Sequence, residues 1–249
     1  MSPEKKMSKR QTMRAKRERQ ARTQRIGVIG IIIVGALLVA AALIYPNLKP
    51  IGEISSVDSA ERPMVDGNAM GDPNAPIKIE EFSDFQCPYC ERFYQETEHQ
   101  ISSTYVADGT VYFVYRSFGD FIGPESKAAA EAAYCAGDQN KFWEYHDTLF
   151  ANQNGENIGD FADRRLQAFA ESLSLDMDAF NSCFSSGKYS SRVDQDHIDG
   201  TAAGVTGTPA FSITYMVNGE QKQRFIAGAY PFSEFQKQIE EALVEMGLN

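Results

Sequence analysis

Residues 77–90 read Ile77-Lys78-Ile79-Glu80-Glu81-Phe82-Ser83-Asp84-Phe85-Gln86-Cys87-Pro88-Tyr89-Cys90, an apolar-rich run that ends in two cysteines separated by two residues. After this run, Phe93, Thr97 and Ile101 recur at helical spacing, and no glycine or proline interrupts the chain until Gly109. The pattern therefore predicts a strand that leads directly into a helix and places a dithiol at the helix start.

This position of the dithiol has a chemical consequence. Pro88 suits the first turn of a helix, because its missing N–H would have no intrahelical partner there. Unpaired backbone N–H groups and the positive end of the helix dipole favour the thiolate of Cys87. We therefore expect Cys87 to be the nucleophile and Cys90, one turn further along, to be the more buried resolving thiol.

Two other interpretations of the Cys-x-x-Cys pair stay open. Half of a zinc site has the same spacing, but Cys135 and Cys183 are isolated and no second pair of ligands completes a tetrahedral set. The pair could also be a structural disulfide without turnover. We predict neither a metal nor a cofactor, and we interpret the scattered histidines His99, His146 and His197 as surface or packing residues.

The N-terminal region combines a basic tail with an uncharged apolar run. Residues 1–25 contain ten of the 24 basic side chains and two of the 34 acidic ones, whereas residues 26–45 contain no charge. A helix of that length spans about 30 Å, enough to cross the hydrocarbon layer. We predict a basic cytoplasmic tail at 1–25 and a single-pass transmembrane anchor at 26–45, with the rest of the chain extracytoplasmic. A cleaved signal peptide is the alternative, although its apolar region is normally shorter.

The predicted extracytoplasmic part is strongly acidic, with the remaining 14 basic and 32 acidic residues and a net charge of −18. Such a charge argues against nucleic acid as a partner, and the basic tail is better explained by contact with anionic lipid. Four cysteines fit an oxidising compartment. Residues 46–70 lack sustained periodicity and are predicted to be a linker, and residues 71–249 suit one domain with a substantial core.

The rest of the domain contains further strand and helix patterns. Residues 109–118 are β-branched and aromatic, typical of a buried parallel strand, and a helical block follows over residues 123–203. A disulfide between Cys135 and Cys183 would close a loop of about 48 residues in this block, and we favour it over two free thiols. A hairpin and a last helix end the chain, and Pro209 at the hairpin entry is compatible with a cis bond.

Two motifs resemble those of DsbA-like thiol-disulfide oxidoreductases: Phe82-Ser83-Asp84-Phe85-Gln86-Cys87-Pro88-Tyr89-Cys90 and, far downstream, Gly207-Thr208-Pro209-Ala210-Phe211. The resemblance covers nearly all of residues 71–249. It implies an α/β, thioredoxin-like fold with a helical insertion, preceded here by the transmembrane helix. It also implies that Cys87 and Cys90 form the redox-active disulfide and that Pro209 is a cis-proline packed beside them.

The resemblance assigns further site residues. Thr208 would pair through its backbone with an extended substrate segment, next to Pro88 and Tyr89. Glu81 matches the position of a buried acid near the resolving thiol, and a carboxyl with a raised pKa there could take or give the Cys90 proton. The alternative for Glu81 is a solvated charge at a strand edge.

The implied function is that of an extracytoplasmic oxidase that donates its disulfide to reduced exported proteins. A DsbB-like or vitamin K epoxide reductase-like membrane partner would then reoxidise the dithiol. Tyr89 departs from the family pattern, because Cys-Pro-Tyr-Cys is the motif of glutaredoxins, whose potentials are more reducing by roughly 100 mV. A reductase or isomerase of the same fold is therefore an alternative, as is a tethered chaperone or binding module that does not turn over.

Overall fold

The computed structural model describes residues 9–48, 51–57, 59 and 61–248. The chain forms two compact units, which meet in sequence at Ile51 and Gly52. In the first unit, helix α1 (Lys9–Leu48) includes much of the basic tail as well as the apolar run, so the predicted boundary at residue 25 is not a break in the helix. Within the described residues, α1 alone is long and apolar enough to cross a membrane, over Gln24–Ala41. Residues 1–8 of the predicted tail lie outside the described part.

The second unit is built on a mixed five-stranded sheet. Its strands are β1 (Ala69–Met70), β2 (Ile77–Ser83), β3 (Val111–Ser117), β4 (Ala210–Val217) and β5 (Glu220–Ala227). Their order in the sheet is β1-β3-β2-β4-β5, and only β2 and β3 run parallel to each other. The strand that carries the dithiol therefore lies at the centre of the sheet, where its backbone is paired on both sides.

Helices cover the sheet and form the insertion. They are α2 (Pro88–Phe93), α3 (His99–Ile101), α4 (Pro124–Gly137), α5 (Phe142–Ala151), α6 (Asp163–Ser172), α7 (Met177–Ser185), α8 (Ser190–Ala202) and α9 (Phe232–Met246). Helices α4 to α8 lie between β3 and β4 in sequence, which agrees with the insertion predicted over residues 123–203. In this block Cys135 of α4 and Cys183 of α7 are joined by a disulfide.

The helix that follows the dithiol is continuous from α2 to Val106 but is not a regular α-helix throughout. Two π-helical turns, Tyr94–Glu98 and Ser102–Val106, flank the short helix α3. Such turns insert a residue into the helix and are frequent at functional sites. Glu98, the last residue of the first turn, is buried, and the sequence analysis did not single it out.

The predicted linker at 46–70 differs from the structure, because much of it packs on the second unit. The backbone N–H and carbonyl of Ser55 bond the Asn152 side chain at 2.8 and 2.9 Å. Strand β1 pairs with the edge of β3, and the side chain of Arg62 is buried. A two-residue strand and a few long-range contacts hold the segment, and neither leaves a periodic pattern in the sequence. Residues 49, 50, 58 and 60 lie outside the described part.

Candidate active site

The loop between β2 and α2 places the dithiol at the tip of a helix. Cys87 is the N-cap residue of α2 in an extended conformation, and Pro88 occupies the first helical turn. The Cys87 carbonyl accepts hydrogen bonds from the backbone N–H groups of Cys90 and Glu91, at 3.0 and 3.1 Å. Both cysteines of the pair are free thiols and lie within the hydrophobic core cluster. The structure is thus that of the reduced dithiol.

The environment of Cys87 favours its thiolate. A hydrogen bond from the Cys90 thiol is the main cause that lowers the pKa of Cys87 to about 6, and the backbone N–H groups of Tyr89 and Cys90 act in the same direction. Burial opposes these effects but does not outweigh them. Cys87 therefore carries the negative charge at neutral pH, at a residue that is only 5% exposed.

The environment of Cys90 has the opposite effect. The residue is fully buried, and burial, followed by the hydrogen bond and charge of Cys87, raises the pKa of Cys90 well above its usual range. The backbone N–H of Asp84 donates to the Cys90 Sγ at 3.5 Å. This hydrogen bond partly offsets the rise in the pKa of Cys90. One sulfur of the pair is thus a thiolate and the other a thiol, as a nucleophile and a resolving group require.

The loop that precedes β4, the strand paired antiparallel with β2, approaches the dithiol. The Thr208–Pro209 peptide bond is cis, and the Cys87 Sγ lies 3.4 Å from the Thr208 carbonyl oxygen. The Pro209 carbonyl accepts a hydrogen bond from the Gly228 N–H, which joins this loop to the end of β5. The hydroxyl of Thr208 is buried without a hydrogen-bond partner among the described residues. The structure thus brings Pro209 and Thr208 to the dithiol from 120 residues away in sequence.

A groove of about 440 Å³ begins beside the nucleophile. Its walls are formed by Tyr89, Arg92, Thr208, Ala227, Gly228, Ala229 and Tyr230. Tyr89 is 57% exposed, and the Arg92 guanidinium lies 5.1 Å from its ring centre. Arg92 also donates to the Ala229 carbonyl at 3.0 Å. This wall of aromatic rings and backbone is suited to an extended peptide with apolar side chains.

Glu81 lies in the core rather than at a solvated strand edge. Its carboxyl group is 1% exposed, and its Oε2 atom has no hydrogen-bond partner among the described residues. Burial is the main cause that raises the pKa of Glu81, and the nearby charge of Glu98 adds to it. Glu81 contributes in turn to the raised pKa of Cys90. The carboxyl is thus coupled to the Cys90 thiol, and its burial favours the protonated form.

Two polar residues that the sequence analysis left without a role hold the dithiol loop in place. Asp84 accepts hydrogen bonds from the backbone N–H groups of Gln86 and Ile122, and burial raises the pKa of Asp84 to about 6. The fully buried amide of Gln86 donates to the Ser126 hydroxyl and accepts from the Asn157 N–H. These bonds join the dithiol loop to the helical insertion. In the sequence, the only signal for Asp84 and Gln86 is their position between the strand and the dithiol.

Alkylation of the reduced chain should show the low pKa of Cys87. We expect the rate of reaction with iodoacetamide to rise with pH around a midpoint of about 6, because only the thiolate reacts. In Cys90→Ala, the midpoint should move up towards the value of about 8.5 for a free cysteine, since the main stabilising hydrogen bond is lost.

The matched control for this experiment is Cys87→Ser, which should show no alkylation phase near pH 6. A midpoint near 8.5 in the unmodified chain would contradict the assignment of Cys87 as the stabilised thiolate.

The sheet order, the dithiol at the tip of α2 and the cis-proline loop define a thioredoxin fold that is interrupted by a helical insertion. The family model described as thioredoxin matches residues 64–241. The chain therefore belongs to the thioredoxin family.

Similar proteins agree with this fold. Alpha-DsbA1 of Wolbachia pipientis superposes with a TM-score of 0.63 at 22% identity, over 75% of this chain and 96% of that one. The "Probable disulfide bond formation protein D" of Bacillus cereus is 34% identical over 88 residues, which are 34% of this chain and 40% of that protein. These likenesses confirm the predicted DsbA-like resemblance and the thioredoxin-like fold with its insertion.

A second group of similar proteins is much longer than this chain. The "Na(+)/H(+) antiporter NhaA 1" of Salinispora arenicola is 33% identical over 152 residues, which make up 61% of this chain and 21% of that protein. The matched region thus spans about a fifth of the length of such relatives. Their names describe whole proteins, of which this domain is the smaller part.

Proposed function

We propose that the chain is an extracytoplasmic thiol-disulfide oxidoreductase that donates the Cys87-Cys90 disulfide to exported proteins. The observation that carries this proposal is the pair of neighbouring thiols with opposite pKa shifts, placed against the cis Thr208–Pro209 bond. A sulfur stabilised as thiolate is a good leaving group, and its stabilisation favours the reduced form of the pair. The oxidised chain therefore tends to pass its disulfide on.

The exchange takes place in two displacement steps. A substrate thiolate attacks the Cys87 Sγ of the oxidised chain, the Cys87-Cys90 bond breaks, and Cys90 leaves with the electron pair and takes up a proton. A second substrate thiolate then attacks the substrate sulfur of the mixed disulfide and releases Cys87 as its thiolate. The substrate loses two electrons and gains a disulfide, while the enzyme ends as the dithiol that the structure describes.

The groove residues orient the substrate for the first step. An extended segment would pair with the backbone of Thr208 beside Pro209, and its side chains would contact the exposed ring of Tyr89 next to Pro88. Glu81 serves as the group that exchanges a proton with Cys90, because its pKa is raised and it lies within electrostatic reach of that thiol.

The location and the redox partner follow from the rest of the chain. Helix α1 is the proposed signal-anchor, with the basic residues in the cytoplasm and the thioredoxin domain outside. The disulfide between Cys135 and Cys183 supports an oxidising compartment. A DsbB-like or vitamin K epoxide reductase-like membrane oxidase would restore the Cys87-Cys90 disulfide after each turnover.

The redox potential of the Cys87-Cys90 pair tests the direction of transfer. Equilibration with glutathione buffers should give a value close to that of DsbA, about −120 mV, and the oxidised chain should oxidise a reduced unfolded protein stoichiometrically. The Cys-Pro-Tyr-Cys sequence favours the second candidate, a reductase or isomerase. A potential near −270 mV, as in thioredoxin, would support that candidate and overturn the oxidase proposal.

A further inference from the structure

A buried ionic cluster lies in the core of the second unit, away from the groove. It consists of Arg62, Glu98, His146 and Asp147, whose side chains are at most 3% exposed. The Arg62 guanidinium contacts Glu98 Oε1 at 2.6 Å and Asp147 Oδ1 at 2.8 Å. The His146 ring nitrogen Nδ1 lies 3.0 Å from Asp147 Oδ1. Buried charges of this kind persist only when they are paired, and removal of one partner leaves an uncompensated charge.

The cluster joins the segment before the domain to the helix that carries the dithiol. Arg62 precedes β1, and its guanidinium is stacked 4.7 Å from the ring centre of Trp143. Glu98 is the last residue of the first π-helical turn, eight residues after Cys90 in the same continuous helix. Arg62 therefore neutralises a carboxylate that belongs to the dithiol helix.

The same carboxylate acts on Glu81. Glu98 Oε2 and Glu81 Oε2 are both buried without a hydrogen-bond partner among the described residues. The negative charge of Glu98 raises the pKa of Glu81, after the larger effect of burial, and the positive charge of Arg62 opposes it. The titratable and charged groups that face Glu81 are Cys87 and Cys90 from the dithiol helix, Glu98 from the π-helical turn, Tyr115 from β3, and Arg62.

We propose that Arg62 is a positioning residue for the dithiol reaction: by pairing with Glu98 it limits the negative charge beside Glu81 and so keeps this carboxyl able to accept the Cys90 proton. This inference rests on the proton-exchange role given to Glu81 in the proposed function. It assigns a part in the chemistry to a segment that lies outside both sequence motifs.

The reaction of the reduced chain with 5,5′-dithiobis(2-nitrobenzoate) isolates the proton transfer. Cys87 first displaces one nitrothiobenzoate and forms a mixed disulfide. Cys90 then gives its proton to Glu81 and attacks Cys87, which closes the Cys87-Cys90 disulfide and releases the second nitrothiobenzoate with the electron pair. The absorbance of the released thiolate resolves the two phases, and the pH profile of the second phase reports on Cys90 and Glu81.

Arg62→Gln in the full-length chain should move the pH midpoint of the second phase up by about one unit. Without the guanidinium, the negative charge of Glu98 is less compensated, so Glu81 keeps its proton to higher pH and Cys90 is harder to ionise. Arg62→Lys retains the charge and should restore most of the unmodified profile. In the Glu81→Gln background, Arg62→Gln should cause no further shift.

Two further variants make the test specific. Arg224→Gln is the matched control, because Arg224 also binds two carboxylates, Glu241 and Glu245, but on the surface of α9, and it should leave the midpoint unchanged. Glu98→Gln removes negative charge and should shift the midpoint down. This opposite sign keeps the inference testable even if Arg62→Gln does not fold.

The results of these experiments distinguish a failure of the role given to Arg62 from a failure of the proposed function. A midpoint that is the same in Arg62→Gln and the unmodified chain, or a shift that persists in the Glu81→Gln background, would overturn the role of Arg62 alone. Absence of the second phase in the unmodified chain, with a normal first phase, would overturn the resolving role of Cys90 and with it both proposals.

Discussion

Cys87→Ser is expected to abolish disulfide transfer completely, because the mechanism has no other sulfur that a substrate thiolate can reach. Cys90 is fully buried, and the Cys135-Cys183 disulfide is buried between helices α4 and α7. The measurement is the rate at which the full-length chain, oxidised beforehand, introduces disulfides into a reduced unfolded protein. Cys90→Ser should have a different effect: it has no Cys87-Cys90 disulfide to donate, and Cys90 cannot resolve a mixed disulfide that the Cys87 thiolate forms with a substrate disulfide, so covalent complexes with substrate should accumulate on non-reducing gels.

The control for these two variants is Cys135→Ala combined with Cys183→Ala, which removes both sulfurs of the other cysteine pair, far from the dithiol in sequence, and should retain transfer. Disulfide transfer by Cys87→Ser would exclude the proposed chemistry, whereas absence of transfer by the unmodified chain would favour the binding module. Failure of Cys90→Ser to trap any protein substrate would argue against exchange with exported chains.

Loss of the Cys135-Cys183 disulfide should destabilise the domain by about 4 kcal/mol, since the bond closes a loop of 48 residues in the unfolded chain. The two cysteines join α4 to α7, so the loss of stability should be centred on the helical insertion. Gln86 connects this insertion to the dithiol loop through its hydrogen bond to Ser126. Urea unfolding with and without dithiothreitol measures this change in the free energy of unfolding. The experiment uses a chain with Cys87→Ser and Cys90→Ser, because the reductant can then act on no other disulfide.

A further chain with Cys135→Ala and Cys183→Ala added to that background provides the control, because its unfolding should not respond to dithiothreitol at all. A difference below about 1 kcal/mol between the oxidised and reduced disulfide would show that the bond does not constrain the unfolded state as the loop-entropy account requires.

The local parts of the fold could be predicted from sequence because their signals are local. The strand, the dithiol and the helix start follow one another within residues 77–90, and the structure places β2 and α2 at Ile77–Ser83 and Pro88–Phe93. The helical block predicted over residues 123–203 also agrees with helices α4 to α8, which extend from Pro124 to Ala202. Amphipathic periodicity and turn residues are sufficient for such elements.

The parts that sequence reasoning missed depend on contacts between distant residues. Arg62 meets Glu98 and Asp147 across 36 and 85 positions, and no motif connects these residue types at such separations. His146 was interpreted as a surface or packing residue, and it packs in the core but also contacts two carboxylates. The π-helical turn that buries Glu98 is invisible to a search for regular helical spacing. Resemblance alone pointed to Glu81 and Pro209, for the same reason.

The packing of residues 52–70 on the domain decides how the protein can be studied in solution. A recombinant fragment without helix α1 has to start at or before Gly52 to keep the second unit complete. A shorter fragment from Gly71 would retain both the dithiol motif and the Pro209 motif, yet it would expose the edge of β3 and leave two buried acids without their arginine. Redox values measured on such a fragment would describe a different electrostatic environment from that of the parent chain.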